Sequence, residues 1–268
     1  MDIRAIIKKR KSVRTFNKSP LSKEDREKLT AYLETAENPF GVPVEFRFLN
    51  AKAHGLSSPV IVGADEYVAA KVRRAPQYEI AYGYSFEAFC LYAEALGLGT
   101  VMLAGTLSRK TFERAMELEK DEVMPVASPV GYPAEKRSVR EKLMRKAVKA
   151  DDRLPFEKLF FANSFSESLK AEDAGKFRDA LEAVRLAPSA VNKQPWRAVV
   201  CGDTVHFFKK GAKMLATDTL DLQKVDMGIA LAHFDLTLKE SGAEGRFVTE
   251  KPAFETEDGM EYIISYEG

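Results

Sequence analysis

Two segments of this chain read as complementary parts of one site, and neither is repeated. Arg10-Lys11-Ser12-Val13-Arg14-Thr15-Phe16 stands near the start, and Pro188-Ser189-Ala190-Val191-Asn192-Lys193-Gln194-Pro195-Trp196 stands far downstream. Each is followed by a similar succession of helix and strand patterns, so the chain reads as two related halves. The basic motif is intact only in the first half, and the Pro-Ser-Asn-Gln-Trp motif only in the second. The fold must therefore bring the halves together, since each supplies what the other lacks. The expectation is one composite site for an anion and a ring, built where the halves meet.

The order of elements carries the duplication. Ile3, Ile6 and Ile7 have helical spacing ahead of the basic cluster. Ser22 reads as the N-cap of a helix bearing Leu29, Leu33 and Ala36, which Asn38-Pro39 and Gly41 end. Val44 to Leu49 alternates as a strand, and Pro59 to Gly63 reads as a second, more buried one. Tyr84 to Leu96 is a central helix stopped by Gly97-Leu98-Gly99. Val101 to Gly105 runs extended into a turn, Ser108 caps a helix from Lys110 to Met116, and Val123 to Pro133 reads as a strand. The second half replays this. Ala171 to Ala187 is a helix, Trp196 to Val200 and Val205 to Phe208 are strands, and Asp226 to Phe234 parallels Ala81 to Phe89. Both of the last segments run on to a glycine, Gly242 and Gly97, and Arg246-Phe247-Val248 parallels Val101-Met102-Leu103. Two copies are too few for a solenoid and suit a fused pseudo-dimer with an approximate two-fold axis. The predicted division is 1–150 for the first half with its linker and 151–268 for the second.

Composition narrows the function classes. With 268 residues and 45% hydrophobic content, the chain can bury a large core. Forty-one Lys and Arg against 40 Asp and Glu give a net charge of +1, which argues against a broad nucleic-acid-binding surface. Residues 136 to 153 are dense in Lys and Arg and read as a solvated linking segment rather than a nucleic-acid arm. Cys90 and Cys201 form no CxxC pair and read as small buried apolar residues. His54, His206 and His233 share no metal spacing, so no metal site is expected. Met1 leads into a charged stretch without the apolar core of a signal peptide, and no apolar run approaches the ~20 residues of a membrane span. The expectation is a soluble cytoplasmic protein with no membrane and no nucleic-acid partner.

Four motifs in a fixed order resemble the nitroreductase family of FMN-dependent oxidoreductases. Arg10 to Phe16 resembles its Arg-Arg-Ser-x-Arg-x-Phe start. Leu96-Gly97-Leu98-Gly99-Thr100 resembles its Gly-Leu-Gly-Thr turn. Gly131-Tyr132-Pro133 with Lys136 and Arg137 resembles its late Gly-Tyr-Pro stretch. Ala187 to Arg197 resembles its Pro-Ser-x-x-Asn-x-Gln-Pro-Trp signature. Ordinary members are homodimers with two FMN sites at the subunit interface. The first half's counterpart of the second motif, Asn38 to Val44, lacks its Ser and Gln, and the second half's counterpart of the basic motif, Phe161 to Phe165, lacks cations. The chain therefore resembles a single-chain pseudo-dimer subgroup, with one working flavin site and one degenerate site. A monomer that mimics a homodimer is expected.

The resemblance implies an α+β fold, with mostly antiparallel sheets and surrounding helices. It implies FMN held by Arg10, Lys11, Ser12, Arg14, Leu103, Ala104, Gly105, Lys136, Arg137, Pro188, Ser189, Ala190 and Asn192. Arg10, Ser12, Lys136 and Arg137 would meet the phosphate, and Arg14 the N1/O2 edge of the ring, where positive charge tunes its potential. Ala104 and Gly105 would lie near N5, and Gln194 and Trp196 would brace the loop. NAD(P)H would serve as transient co-substrate, passing hydride through flavin N5 to a nitroaromatic, quinone or similar small acceptor, with no side-chain acid or base required. Other readings are a flavin-binding protein without turnover, or another flavin chemistry such as reductive dehalogenation. Taken singly, each residue has an ordinary explanation: a solvated helix end at Lys8 to Arg14, a helix-exit Ser189, a core Trp196, surface charge at Lys136 and Arg137. Two departures from the family pattern stand out. No Asn and Lys match the usual pyrimidine-edge pair, and Ala64 to Glu79 is short where larger members carry a helical lid. Arg73 and Arg74 read as surface charge.

Overall fold

The computed structural model describes residues 2–217, 220–256 and 258–268. Its first half runs α1 (Ile3–Lys9), α2 (Lys23–Thr35), β1 (Val44–Asn50), α3 (Ala51–His54), β2 (Glu66–Arg73), α4 (Tyr78–Ala95), β3 (Gly99–Thr100), α5 (Arg109–Ala115), β4 (Glu122–Val123) and β5 (Ala127–Gly131). Helix α6 (Val139–Ala147) leads onward. The second half runs β6 (Phe160–Ala162), α7 (Arg178–Leu186), β7 (Trp196–Cys201), β8 (Thr204–Lys210), β9 (Leu215–Thr217), β10 (Leu220–Asp221), α8 (Leu222–Glu240), β11 (Arg246–Val248) and β12 (Met260–Glu267).

The sheets reveal the duplication directly. The first reads β3–β5–β2–β1 and the second β11–β12–β8–β7, with every one of these neighbours antiparallel. The order matches element for element. Two additions break the symmetry: β4 also pairs with β2, and β6 lies parallel to the outer edge of β7. The fold is α+β, as the resemblance implies.

The halves meet along α4 and α8. Fourteen of the 18 residues of α4 and 14 of the 19 of α8 are buried, as expected of helices covered on most sides. Each packs on its own sheet, and the two pack on each other. Two glycines make the approach possible. A Cβ on Gly83 would stand 2.0 Å from the Val225 carbonyl oxygen, and one on Gly228 would stand 2.1 Å from the Ile80 carbonyl oxygen. In each case the obstacle lies three residues before the partner glycine. That reciprocity is the mark of an isologous contact across a two-fold axis. One hydrophobic core runs through both halves, from Leu29 and Phe86 to Phe207 and Phe234. Among the described residues, no helix is long and apolar enough to cross a membrane.

Several expected elements differ. The second strand of the first half is β2, not Pro59 to Gly63. Val62 makes only an isolated bridge to Thr15, while Tyr67 to Val72 is buried on both faces and so shows no alternation. Helix α4 begins at Tyr78, six residues before Tyr84, behind a left-handed Gln77 that makes no side-chain cap, so no start signal marks it. Ala171 to Ala187 is two 3-10 turns followed by α7, because Gly175 takes a φ of +51° between them. Ser108 stands at the N-cap of α5, but its hydroxyl accepts from the Ser57 N–H instead. Ser22 caps α2 as expected, accepting from the Asp25 N–H at 3.0 Å. Cys90 is buried, but Cys201 is half-exposed at the end of β7. Strand β12, between β11 and β8 in the second sheet, carries no distinctive sequence pattern.

Candidate functional site: a cavity shared by the two halves

Helix α1 delivers the basic motif. Its N-cap Asp2 accepts from the Ala5 N–H, and Ile3 and Ile7 pack against Leu91 of α4 and Ala183 of α7, so the helix rests on both halves. The chain then turns extended. Ser12 bridges Thr100 in parallel, and the Val13 N–H donates to the Thr100 carbonyl at 2.9 Å. Gly99 allows this: a Cβ there would meet the Val13 side chain at 2.8 Å. The expected Gly-Leu-Gly-Thr turn therefore sits behind the basic motif as its backing.

The Pro188–Pro195 loop is strained and heavily braced. Val191, Asn192 and Gln194 have φ values of +44°, +57° and +49°. A left-handed β-branched residue is a true outlier, and such conformations cost about 1–3 kcal/mol each. Hydrogen bonds hold the loop there. The Gln194 N–H donates to Ser189 Oγ at 2.8 Å, and Gln194 Oε1 accepts from the Leu154 N–H at 2.9 Å. Asn192 Nδ2 donates to the Lys149 and Asp152 carbonyls at 2.7 and 3.0 Å. Asp226 Oδ1 accepts from the Ala190 N–H at 2.9 Å. Gln194 and Trp196 are buried behind the loop.

Between these segments lies a cavity of about 140 Å³, which shares its walls with an adjoining outer space of about 350 Å³. Arg10, Ser12, Arg14 and Ala104 line it from the first half, and Pro188, Ser189, Ala190 and Asp226 from the second. An adjoining space adds Lys11, Leu103, Gly105 and Asn192. Eleven of the thirteen residues expected from the sequence thus converge. Lys136 and Arg137 do not line it. Lys136 is exposed, and Arg137 reaches Glu141 at 3.6 Å. Ser189 and Asn192 spend their side chains on the loop rather than on the cavity.

Cations from the linking segment take part instead. Arg145 and Arg153 line the outer space with Met144 and Val148. The segment is anchored, not merely solvated. Glu141 is 2% exposed and accepts from Thr15 Oγ1 at 2.8 Å and the Arg14 N–H at 3.3 Å. Arg153 fastens the linker to the end of α7 through the Leu186 carbonyl and to the loop through Asn192 Oδ1 at 3.4 Å. Arg145 pairs with Asp151. Sequence reasoning missed this role; the i, i+3 and i+4 spacing of Glu141, Met144, Arg145 and Val148 on one face was the available signal.

The electrostatics of the cavity are those of an anion site left under-compensated. Burial is the main cause that holds the Arg14 guanidinium below its ordinary value, with Glu141 opposing and Arg145 adding. Burial likewise lowers Arg153, with Arg10 adding repulsion. The buried Nε atoms of Arg10 and Arg14 have no hydrogen-bond partner, and Asp226 Oδ2 has none either. Arg10 Nε lies 3.4 Å from Glu87 Oε1, which also meets His233 Nε2 at 2.8 Å; His233 Nδ1 meets the Ala183 carbonyl at 2.9 Å. A carbonyl only accepts, so Nδ1 carries its proton. This buried chain ties the basic motif through α4 to α8. Two cavity-lining guanidinium groups, one with a buried Nε that has no partner, beside a small apolar wall fit a ligand with a phosphate and a flat ring, as FMN has.

The counterparts of the two motifs pack among aromatic side chains. Phe40, in the counterpart of the Pro188–Asn192 loop, packs against Tyr84 of α4 and Phe247 of β11 with ring centroids 5.8 and 5.4 Å apart. Phe161 and Phe165 join Phe208 and Phe254 in an aromatic cluster.

No curated protein matches the chain. Among solved structures, a "putative nitroreductase" from Thermotoga maritima aligns over 100% of this chain and 94% of its own, at 21% identity and a TM-score of 0.65. A structure described as an oxidoreductase containing FMN aligns over 63% of this chain and 94% of its own, at 15% identity and a TM-score of 0.51. Both are likenesses of fold. A model of the family described as "Putative TM nitroreductase" matches residues 2–238, and the chain belongs to that family.

Proposed function

We propose that this protein is an FMN-dependent oxidoreductase with one composite flavin site per chain. A reduced nicotinamide, NADH or NADPH, serves as electron donor, and a nitroaromatic, quinone or similar small molecule as acceptor. The observation that carries this reading is a cavity between the halves lined by the guanidinium groups of Arg10 and Arg14 together with the Pro188–Asn192 loop, with the buried Arg14 Nε left without a partner in the protein. Bound FMN would supply reversible two-electron chemistry; the protein supplies binding, orientation and electrostatics.

Arg10, Arg14 and Arg145 are the cations available to the phosphate and to the electron-rich edge of the ring, in place of Lys136 and Arg137. Guanidinium groups suit both tasks, since they stay charged and bind oxyanions in a fork. Ala104 and Gly105 keep the cavity edge free of bulk. The Ala104 carbonyl accepts from Arg109 Nη2 at 3.0 Å, which fixes that turn. A Cβ on Gly105 would meet no protein atom within 4 Å, so the space beside it is free for a ligand. The Phe40 packing supports a single site, and the shared core supports a monomer that needs no partner to complete it.

The test is the visible spectrum of the purified protein, with flavin released by denaturation counted per chain. About one FMN per chain supports the reading, and two would remove the single-site assignment. No flavin after incubation with excess FMN would remove the oxidoreductase. Anaerobic addition of NADH or NADPH then separates an enzyme from a flavin carrier, since only the enzyme bleaches at a catalytic rate.

A further inference from the structure

Asp226 lies in the first turns of α8, at the wall of the shared cavity and opposite the basic motif. Its residue is 3% exposed. One carboxyl oxygen accepts from the Ala190 N–H at 2.9 Å, and the other, Oδ2, has no partner. A buried polar atom left unpaired costs about 1–3 kcal/mol, and such atoms at a cavity wall are places where a ligand completes the bonding.

Resting on the flavin reading above, we propose that Asp226 contacts the bound ring directly, its carboxylic acid donating a hydrogen bond from Oδ2 to an acceptor atom of the flavin. Three features support this. First, the protein offers Oδ2 no hydrogen-bond partner, so that oxygen is left to meet a ligand in the cavity. Second, burial favours the neutral acid. Burial, and to a smaller degree Asp221 at the start of the same helix, push the carboxyl up to about 8, and the Ala190 N–H opposes only in part. Arg10, Arg14 and Glu87 are the other charged groups that line the cavity. Third, Asp226 holds the Ala190 N–H with its other oxygen, so one carboxyl both fixes the strained loop and presents the donor.

The experiment is titration of the apoprotein with FMN between pH 7 and 9, for the wild type, Asp226→Asn and Asp226→Ala. The amide of the Asn variant keeps one acceptor for Ala190 and one donor toward the cavity, with no ionisation. The expected result is a Kd that rises about tenfold from pH 7 to 9 in the wild type, as the donor is lost. Asp226→Asn should show no such rise, and Asp226→Ala should bind weakly at every pH. Superimposable pH profiles for wild type and Asp226→Asn would overturn the inference and leave the carboxyl a brace for Ala190, with the flavin reading intact. Failure of the wild type to bind FMN would overturn both.

Discussion

The contact between α4 and α8 makes a quantitative claim that a single methyl group can test. In Gly228→Ala the new Cβ would stand 2.1 Å from the Ile80 carbonyl oxygen, where ordinary contact begins at 3.4 Å. The obstacle is helix backbone, so the helices must part by about 1.3 Å. A gap of about 0.5–1 Å already forfeits a quarter to a half of a contact's dispersion energy, and overpacking costs about 1–3 kcal/mol, occasionally more. Against this stands a helix-propensity gain of about 1 kcal/mol. The obstacle cannot rotate away, so a net loss of about 2 kcal/mol is expected, or roughly 4–8 °C in Tm. Gly83→Ala should lose a similar amount by pseudo-symmetry. The double variant should lose less than the sum, because one separation relieves both clashes. Scanning calorimetry of the four proteins decides it. A single alanine variant as stable as the wild type, or an additive double variant, would refute the reciprocal close approach.

Other consequences follow from the site. Glu141→Ala removes the buried acceptor of Thr15 and of the Arg14 N–H, and should cost about 1–3 kcal/mol in thermal or urea unfolding. Arg137→Ala, which loses only a half-exposed pairing with Glu141, should change stability by less than about 0.5 kcal/mol. Val191→Gly should not lower Tm, because glycine relieves a left-handed β-branched residue at φ +44°; a clear loss of stability would show that the loop is not strained there. The folded chain holds a proton on Asp226 that the unfolded chain releases at its ordinary, lower value. Wild-type apoprotein should therefore lose stability, relative to Asp226→Asn, as pH rises from about 4 to about 8. Melting curves for the pair that run parallel across that range would contradict a buried neutral acid.

Much of the site was legible because its residues act through local chain geometry. Arg10, Ser12 and Arg14 lie within five residues on an extended segment, and Pro188 to Asn192 form a single loop, so type and spacing reveal them. The linker was misread because its charges are ordinary surface types; only the burial of Glu141 against Thr15 turns a basic stretch into a wall of the cavity. Strand β2 escaped detection because burial on both faces erased its alternation, and α4 began early because its first turn is buried in place of being capped.

The sequence by itself determined that the chain has two related halves and that each carries one half of a site, since order and motif survive without contacts. Only the tertiary structure decided how the halves join. Gly83 and Gly228 are unremarkable in a one-dimensional string and become decisive when two helix backbones meet at that point. The same holds for Asp226, Glu87 and His233, whose chemistry depends on what lies across the interface from them. Periodicity records which face of an element is buried. It carries no record of which distant atoms cover that face, and it is those atoms that set charge, protonation and the shape of the cavity.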